Sequence, residues 1–256
     1  MMNEELSFEQ RLHNAIGGQE IENVKARHSL WHAMSYSKEE WDNIWHKGKN
    51  ATWAHFFGRM VGFEEVWSGS VIDADEDVYT RFTAKCRQDP AYSHLDIRST
   101  GSSGCHNLAS PVIEVAADGK TARASYLTPG MTVMGGGGSS YGSNCGIFWE
   151  RYGSDFCCEP DGKWVYFHEQ VCPDVMGSYT QGGNWGHDLF ESARRGQIRI
   201  GGGMSPNNIT DPGPLHCDLS AIQTVQRTVP WPEPYETMDD ANTYSPGRID
   251  HENDGY

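Results

Sequence analysis

With 256 residues, 37% of them hydrophobic and nine of them Trp, the chain can fill one core, and its formal charge of −15 sets it against phosphate backbones and anionic membrane surfaces. It has no run of about 18 consecutive apolar residues, and Met1-Met2-Asn3-Glu4-Glu5 lacks the basic-then-apolar pattern of a secretion signal. A soluble, cytoplasmic protein with neither a nucleic-acid nor a membrane partner is therefore expected. Seven cysteines, without a CxxC spacing and with one vicinal pair at Cys157-Cys158, do not describe a disulfide framework and suit a reducing compartment.

From Leu6 to about Ala15 apolar and charged residues fall at helical spacing. Gly17-Gly18 is expected to break that run before a second helix begins near Glu20 and carries Ile21, Val24, Ala26, His28, Trp31 and His32. Ser37-Lys38-Glu39-Glu40 has the form of a capping box, in which the Ser37 hydroxyl takes an orphan amide and Glu40 reaches back to the cap; Tyr36 and Trp41 stand at the spacing of a hydrophobic staple. A third helix thus starts at Ser37 and ends at Gly48-Lys49-Asn50. Ala51 to Phe57 reads as a strand, Glu64 to Trp67 as a helical turn, and Asp75 to Cys86 as an amphipathic helix with acidic residues at its N-terminus.

A sheet follows. His106 to Ala117 and Thr121 to Leu127 are short β-branched and aromatic runs around Asp118-Gly119, and two longer aromatic runs, Ser143 to Cys158 and Lys163 to Cys172, flank Asp161-Gly162. Asp-Gly between such runs predicts antiparallel strands joined by tight turns, because glycine supplies the positive φ those turns need. Gly135 to Gly138 is either a hairpin loop or a flap over a cavity. After a possible helix at His187 to Arg195, Gly201 to Tyr256 is rich in Pro and turn residues and cannot make its own core. It should trail free or lie as an extended arm on the domain or on a neighbouring subunit, and Trp231, Tyr235 and Tyr244 favour the arm. The expected division is a domain at 1–196, with its core at about 15–175, and an arm at 197–256.

The helix Ile21 to Tyr36 followed by Trp41-Asp42, the hairpin His106 to Ala124 with its Pro-Val-Ile-Glu-Val-Ala-Ala-Asp-Gly-Lys-Thr-Ala wording, and Asp161-Gly162-Lys163-Trp164 opening the last strand carry a likeness. In that order and spacing the chain resembles the SnoaL-like branch of the nuclear transport factor 2-like superfamily. The resemblance implies an α+β fold in which a cone-shaped curved antiparallel sheet wraps around N-terminal helices. It also implies relatives as different as dehydratases, isomerases, lyases of lignin-derived diaryl propanes and plain binding or dimerisation modules, so fold alone does not choose a function. In the dehydratase-like members a Tyr or His and an Asp on the long helix face a His from the sheet across an apolar cavity. The helix Tyr falls at about His28, with His32 one turn on, and the sheet His matches His106; the Asp has no clear match, the nearby positions being Ala33 and Met34.

The residues themselves extend that set. Positions i and i+4 share a helix face, so His28 and His32 can point one way, and imidazole, with an unperturbed pKa of about 6.5, can both accept and release protons near neutrality. His55 lies in a strand pattern, and His168, alternating with Tyr166 and Gln170, is expected to line the cavity in preference to the face of Phe167 and Glu169. His28-x₃-His32 is a chelating spacing that His55 or His106 could complete, but HExxH and a Cys pair at ligand spacing are lacking, and the resemblance implies mostly cofactor-free enzymes, so no metal and no cofactor is expected. Trp31, Trp53, Tyr126, Phe148, Trp149 and Tyr166 suit a cavity for a flat aromatic or polycyclic substrate, with polar contacts from Asn144 and Gln170, while about half of these rings should simply pack the core.

The function expected is a lyase that eliminates water, or a small carbonyl fragment such as formaldehyde, from a hydroxylated aromatic (lignin-derived diaryl) or polycyclic molecule by histidine acid–base catalysis. Isomerisation is the near alternative, and a non-catalytic binding or dimerisation module and a metal-dependent hydrolase are the others. A homodimer or homotrimer is expected from the broad apolar sheet faces and the Pro-rich arm.

Overall fold

A computed structural model of the chain describes residues 7–33, 37–55, 58–64, 102–134, 144–178 and 229–256. The expected helices at Asp75 to Cys86 and His187 to Arg195, the glycine run Gly135 to Gly138, the staple residue Tyr36 and the turn beyond Glu64 lie outside the described residues.

The first helix, α1, is one element, Phe8–Ala33, rather than two. It opens on a reciprocal capping box: Gln10 N donates to Ser7 Oγ at 3.2 Å, and Ser7 N to Gln10 Oε1 at 3.0 Å. The expected break at Gly17-Gly18 does not occur, although a mid-helix glycine costs about 1 kcal/mol against alanine. Gly17 is where the Trp164 indole lies against the helix, and a Cβ there would stand 3.3 Å from the ring. The second helix, α2, is Ser37–Ile44 and starts where the capping box predicts.

The sheet is curved and unclosed. Its strands are β1 (Thr52–His55), β2 (Gly58–Val61), β3 (Ser102–His106), β4 (Ala109–Val115), β5 (Thr121–Met134), β6 (Asn144–Cys158) and β7 (Trp164–Ser178), in the order β2-β1-β7-β6-β5-β3 with β4 also on β5. The strand expected from Ala51 to Phe57 is instead β1, a four-residue strand that pairs antiparallel with β2 and parallel with β7. The strand expected from His106 to Ala117 forms as β4, Ala109–Val115, along Ala122 to Leu127 of β5, and it is preceded by β3, which ends at His106 and runs along Gly130 to Met134. Both Asp-Gly turns form as expected, with φ of 70° at Gly119 and 85° at Gly162. In each, the Asp carboxylate accepts the amide two residues on, Lys120 N at 2.9 Å and Lys163 N at 3.1 Å.

One irregularity decides which side chains face inward. Asp155 pairs with His168 and Phe156 with Tyr166, so Phe167 is an extra residue on β7. A bulge of this kind reverses the alternation of the strand. Before it Trp164 and Tyr166 join the core against the helices; after it Val171 joins the same core and Glu169 reaches Lys25 of α1. Ile21 and Val24 of α1, Trp41 and Ile44 of α2, and Met60, Val115, Ala122, Ala124, Tyr126, Tyr152 and Phe156 of the sheet belong to that core, with Phe63 beyond β2. Trp45 continues it by stacking on Tyr166 at 5.0 Å between ring centres.

The opposite face of the sheet is covered by residues 229–256. Met238, Tyr235, Ile249 and Tyr256 pack on Cys157, Val165 and Phe167, and Val229 and Tyr244 pack on Cys172. The polar centre of this layer is Asp155, whose Oδ2 accepts from Thr243 Oγ1 at 2.5 Å, Tyr244 N at 2.9 Å and His168 Nδ1 at 2.9 Å. Arg123 stands 4.4 Å over the Tyr244 ring. Gly153 is the floor beneath Tyr244, since a Cβ there would lie 2.6 Å from Tyr244 Cδ1 and 2.8 Å from Val229 Cγ1. Gly153→Ala is therefore expected to cost about 1–3 kcal/mol by overpacking. It should lower the urea midpoint and speed proteolytic cleavage within 229–256; an unchanged cleavage rate would mean the tail does not depend on this seat.

Candidate active site

The helical spacing of α1 puts Ile21, Lys25 and His28 on one stripe facing the sheet. Lys25 is 1% exposed, and its Nζ donates to Glu169 Oε1 at 3.1 Å and Ser154 Oγ at 3.2 Å. It also stands over the rings of Tyr126, Tyr166 and Tyr152, at 4.4, 4.9 and 5.0 Å from their centres. Burial pulls the Lys25 ammonium below its ordinary range, and the Glu169 charge opposes that pull.

Two histidines meet carboxylates on this side of the sheet. His28 Nδ1 bonds to Glu40 Oε1 at 2.7 Å, so the carboxylate predicted to complete the α2 cap holds the α1 imidazole. His106, the last residue of β3, has its Nδ1 3.0 Å from Tyr152 Oη and 3.4 Å from Glu150 Oε2, and its carbonyl accepts from Ser29 Oγ. The Tyr152 hydroxyl in turn reaches Glu150 Oε2 at 3.3 Å.

Tyr152 is the hub of the arrangement. Its ring centre lies 6.3 Å from that of His28 and 6.1 Å from that of His106, with Lys25 Nζ 5.0 Å from the ring. Burial first, and then the Glu150 charge, push its phenol well above the ordinary range, so it stays protonated, and any proton it passes on must be replaced through its contact with His106. The buried hydroxyls of Tyr126 and Tyr166 have no hydrogen-bond partner among the described residues. The set combines paired imidazoles, a neutral phenol and a buried ammonium, which suits proton transfer and stabilisation of negative charge.

Of the residues singled out in the sequence, His28, His106, Tyr126 and Tyr166 stand on this inner side. Trp31 and Trp53 are partly buried against its core. The preference for His168 and Gln170 as cavity residues is corrected: the bulge at Phe167 turns both to the opposite face. There His168 Nδ1 bonds Asp155 and Thr243 and its Nε2 the Asn50 carbonyl, and Gln170 Nε2 donates to Cys172 Sγ. Trp149 is corrected too, because it neighbours the inward Glu150 and is 45% exposed. His32 lies on the α1 backbone, His55 ends β1 and Asn144 begins β6; their side chains lie outside the description.

Sequence reading missed Lys25, Glu40, Glu150, Tyr152, Ser154 and Glu169. A signal was present for most of them: Lys25 falls on the same stripe as Ile21 and His28, and Glu150, Tyr152 and Ser154 are alternate polar positions within an aromatic run. Glu169 had none, because only the bulge brings it inward.

No protein-family model matches the chain, and no curated protein matches it. Among solved structures it is similar to the hexachlorocyclohexane dehydrochlorinase LinA-type3 from Novosphingobium barchaimii (14% identity, TM-score 0.43, 68% of this chain and 96% of that one). It is also similar to an NTF2-like protein with a cystatin-like fold from Novosphingobium aromaticivorans (16% identity, TM-score 0.42, 67% and 90%). A third is an NTF2-like superfamily protein from Salmonella enterica (16%, TM-score 0.41, 60% and 87%). The fold and the site define an α+β protein whose curved sheet holds buried acid–base pairs on the side facing its helices. No helix among the described residues is long and apolar enough to cross a membrane.

Proposed function

We propose that the chain is a lyase acting on a hydroxylated aromatic or polycyclic small molecule. The favoured reactions are loss of water or of a small carbonyl fragment such as formaldehyde, with isomerisation as the related outcome of the same proton transfers. The observation that carries this is the Tyr152 hydroxyl, bonded to His106 beside Glu150 while its ring lies next to His28 with Glu40 on Nδ1. With Nδ1 donating to Glu40, the His28 tautomer makes Nε2 the proton-accepting atom, and the carboxylate stabilises the imidazolium that forms. In dehydration His28 takes the proton from carbon, the C–C double bond forms and the C–O bond breaks. The leaving hydroxyl departs as water with a proton from the His106–Tyr152 pair. In the carbonyl-fragment version the base takes a hydroxyl proton and the aldehyde C=O forms as the adjacent C–C bond breaks; that bond's electron pair makes the C–C double bond as the second hydroxyl of the diol leaves as water with a proton from the His106–Tyr152 pair. In this reading negative charge on substrate oxygen is stabilised by the Lys25 ammonium, which stands over the Tyr126 and Tyr166 rings, and by the hydroxyls of those two residues, unpartnered among the described residues.

The test is a panel of hydroxylated diaryl and steroid-like compounds assayed by the absorbance change that accompanies new conjugation. Turnover is expected, falling at least ~100-fold in His28→Ala and in His106→Ala while ligand affinity is retained. Tight binding with no turnover across the panel would instead mark a binding module, and variants with undiminished turnover would remove these histidines from the chemistry.

A further inference from the structure

A second cluster lies away from the acid–base site, on the other side of the sheet. One nitrogen of His46, the Cys157 sulfur and one carboxylate oxygen of Glu159 all lie within 4.8 Å of one another. The geometry points to a divalent-metal site of the zinc class built by these three residues, with a fourth position for water.

Each donor is held by backbone pairing that is independent of any ion. His46 N donates to the Tyr166 carbonyl at 2.8 Å, fixing the residue to β7. Cys157 is paired on both sides within the sheet, to Thr121 of β5 and Val165 of β7. Glu159 begins the β6–β7 turn, its N–H on the Lys163 carbonyl at 2.9 Å and its own carbonyl accepting Gly162 N at 2.7 Å. Gly48 leaves room for the imidazole, for a Cβ there would stand 2.2 Å from His46 Nε2.

The donor set matches the ion. Imidazole nitrogen, thiolate and carboxylate are the three ligand types zinc takes, with bonds of about 2.0–2.3 Å. A tetrahedron on those lengths has edges of about 3.5 Å, so the 4.8 Å cluster must contract by about an ångström while the 2.8 Å contact of His46 Nδ1 with Glu159 Oε1 opens slightly. His46 and Cys157 are buried. The rings of Phe167 and Tyr256 wall the imidazole, at 5.4 and 6.1 Å between centres. Glu159, with its side chain 28% exposed, is the side from which an ion and its water enter. No motif announces the set, because His46 is 113 positions from Glu159.

Cobalt(II) is the probe, added to metal-free full-length protein and followed by absorption. One equivalent should bind and give a thiolate-to-cobalt charge-transfer band in the near ultraviolet. That band should vanish in Cys157→Ser and persist in Cys158→Ser. Glu159→Gln, at a turn position that tolerates the change, should keep the fold and weaken binding at least ~10-fold. The proposal is overturned by folded protein that takes up no cobalt, by cobalt bound without a thiolate band, by a band that follows Cys158, or by affinity indifferent to Glu159→Gln.

Discussion

Lys25→Met is expected to destabilise the chain by about 3–5 kcal/mol, the loss typical of breaking a buried ion pair from one side. Methionine keeps much of the stem but leaves Glu169, 1% exposed, with only the Ser154 hydroxyl against Oε1 at 3.3 Å. Its other oxygen has no partner among the described residues, so the carboxylate must either stay charged without compensation or take up a proton. The double variant Lys25→Met, Glu169→Leu should recover most of the loss, since replacing both charges removes the unpaired ion. Urea denaturation with matched slopes measures both; a single variant within about 1 kcal/mol of the parent would show that the pair does not hold α1 to β7. The sign of a pH effect follows as well. The folded state binds the Lys25 proton less tightly than the unfolded chain, whose lysine titrates at 10.5. Between the two values the unfolded chain carries more protons, so this group makes stability rise with pH in that window, and the rise should be absent from Lys25→Met.

Tyr152→Phe should leave the fold nearly intact and remove most of the turnover. The ring, with its contacts to His28, His106 and Lys25, is retained, and the change deletes a hydroxyl bonded to His106 and Glu150. Loss of one hydrogen-bonding group predicts a stability change of about 1 kcal/mol. Loss of the proton donor between His106 and the substrate predicts a fall in kcat of about 10² to 10⁴-fold. Tyr126→Phe, whose hydroxyl bonds to no described residue, is the control and should lose less. Equal kcat in Tyr152→Phe and the parent, with ligand affinity unchanged, would take the phenol out of the proton path and leave His106 to act without it.

The fold was legible because its determinants are local. Asp118-Gly119 and Asp161-Gly162 fixed two hairpins through the φ their glycines adopt, and α2 starts at Ser37, where the capping-box spacing put it. Gly17-Gly18 misled because the reason for Gly17 is tertiary, an indole 147 residues away by number (164 − 17) that needs the space. The site was half legible for the same kind of reason. His28 and His106 could be placed by periodicity and by resemblance, whereas the inward face of β7 depends on one unpaired residue, Phe167. A single added residue exchanges the side chains from His168 to Cys172 between the two faces, and nothing in the alternation of Tyr166, His168 and Gln170 announces it. Glu40 shows another limit, since a capping-box glutamate and a histidine partner have the same sequence signature until the neighbouring helix is in place.

The tail laid across the sheet also bears on self-association. Cys157, Val165 and Phe167 would otherwise offer a greasy plate on which two protomers could stack, but Met238, Tyr235, Ile249 and Tyr256 of the same chain already occupy it. A second protomer could reach that plate only after this segment peeled off, against the Asp155 and Arg59 anchors that hold Thr243, Tyr244, Ser245 and Pro246 down. Among the described residues no strand pairs with the outer edge of β2, and pairing along that rim asks for no such unfastening.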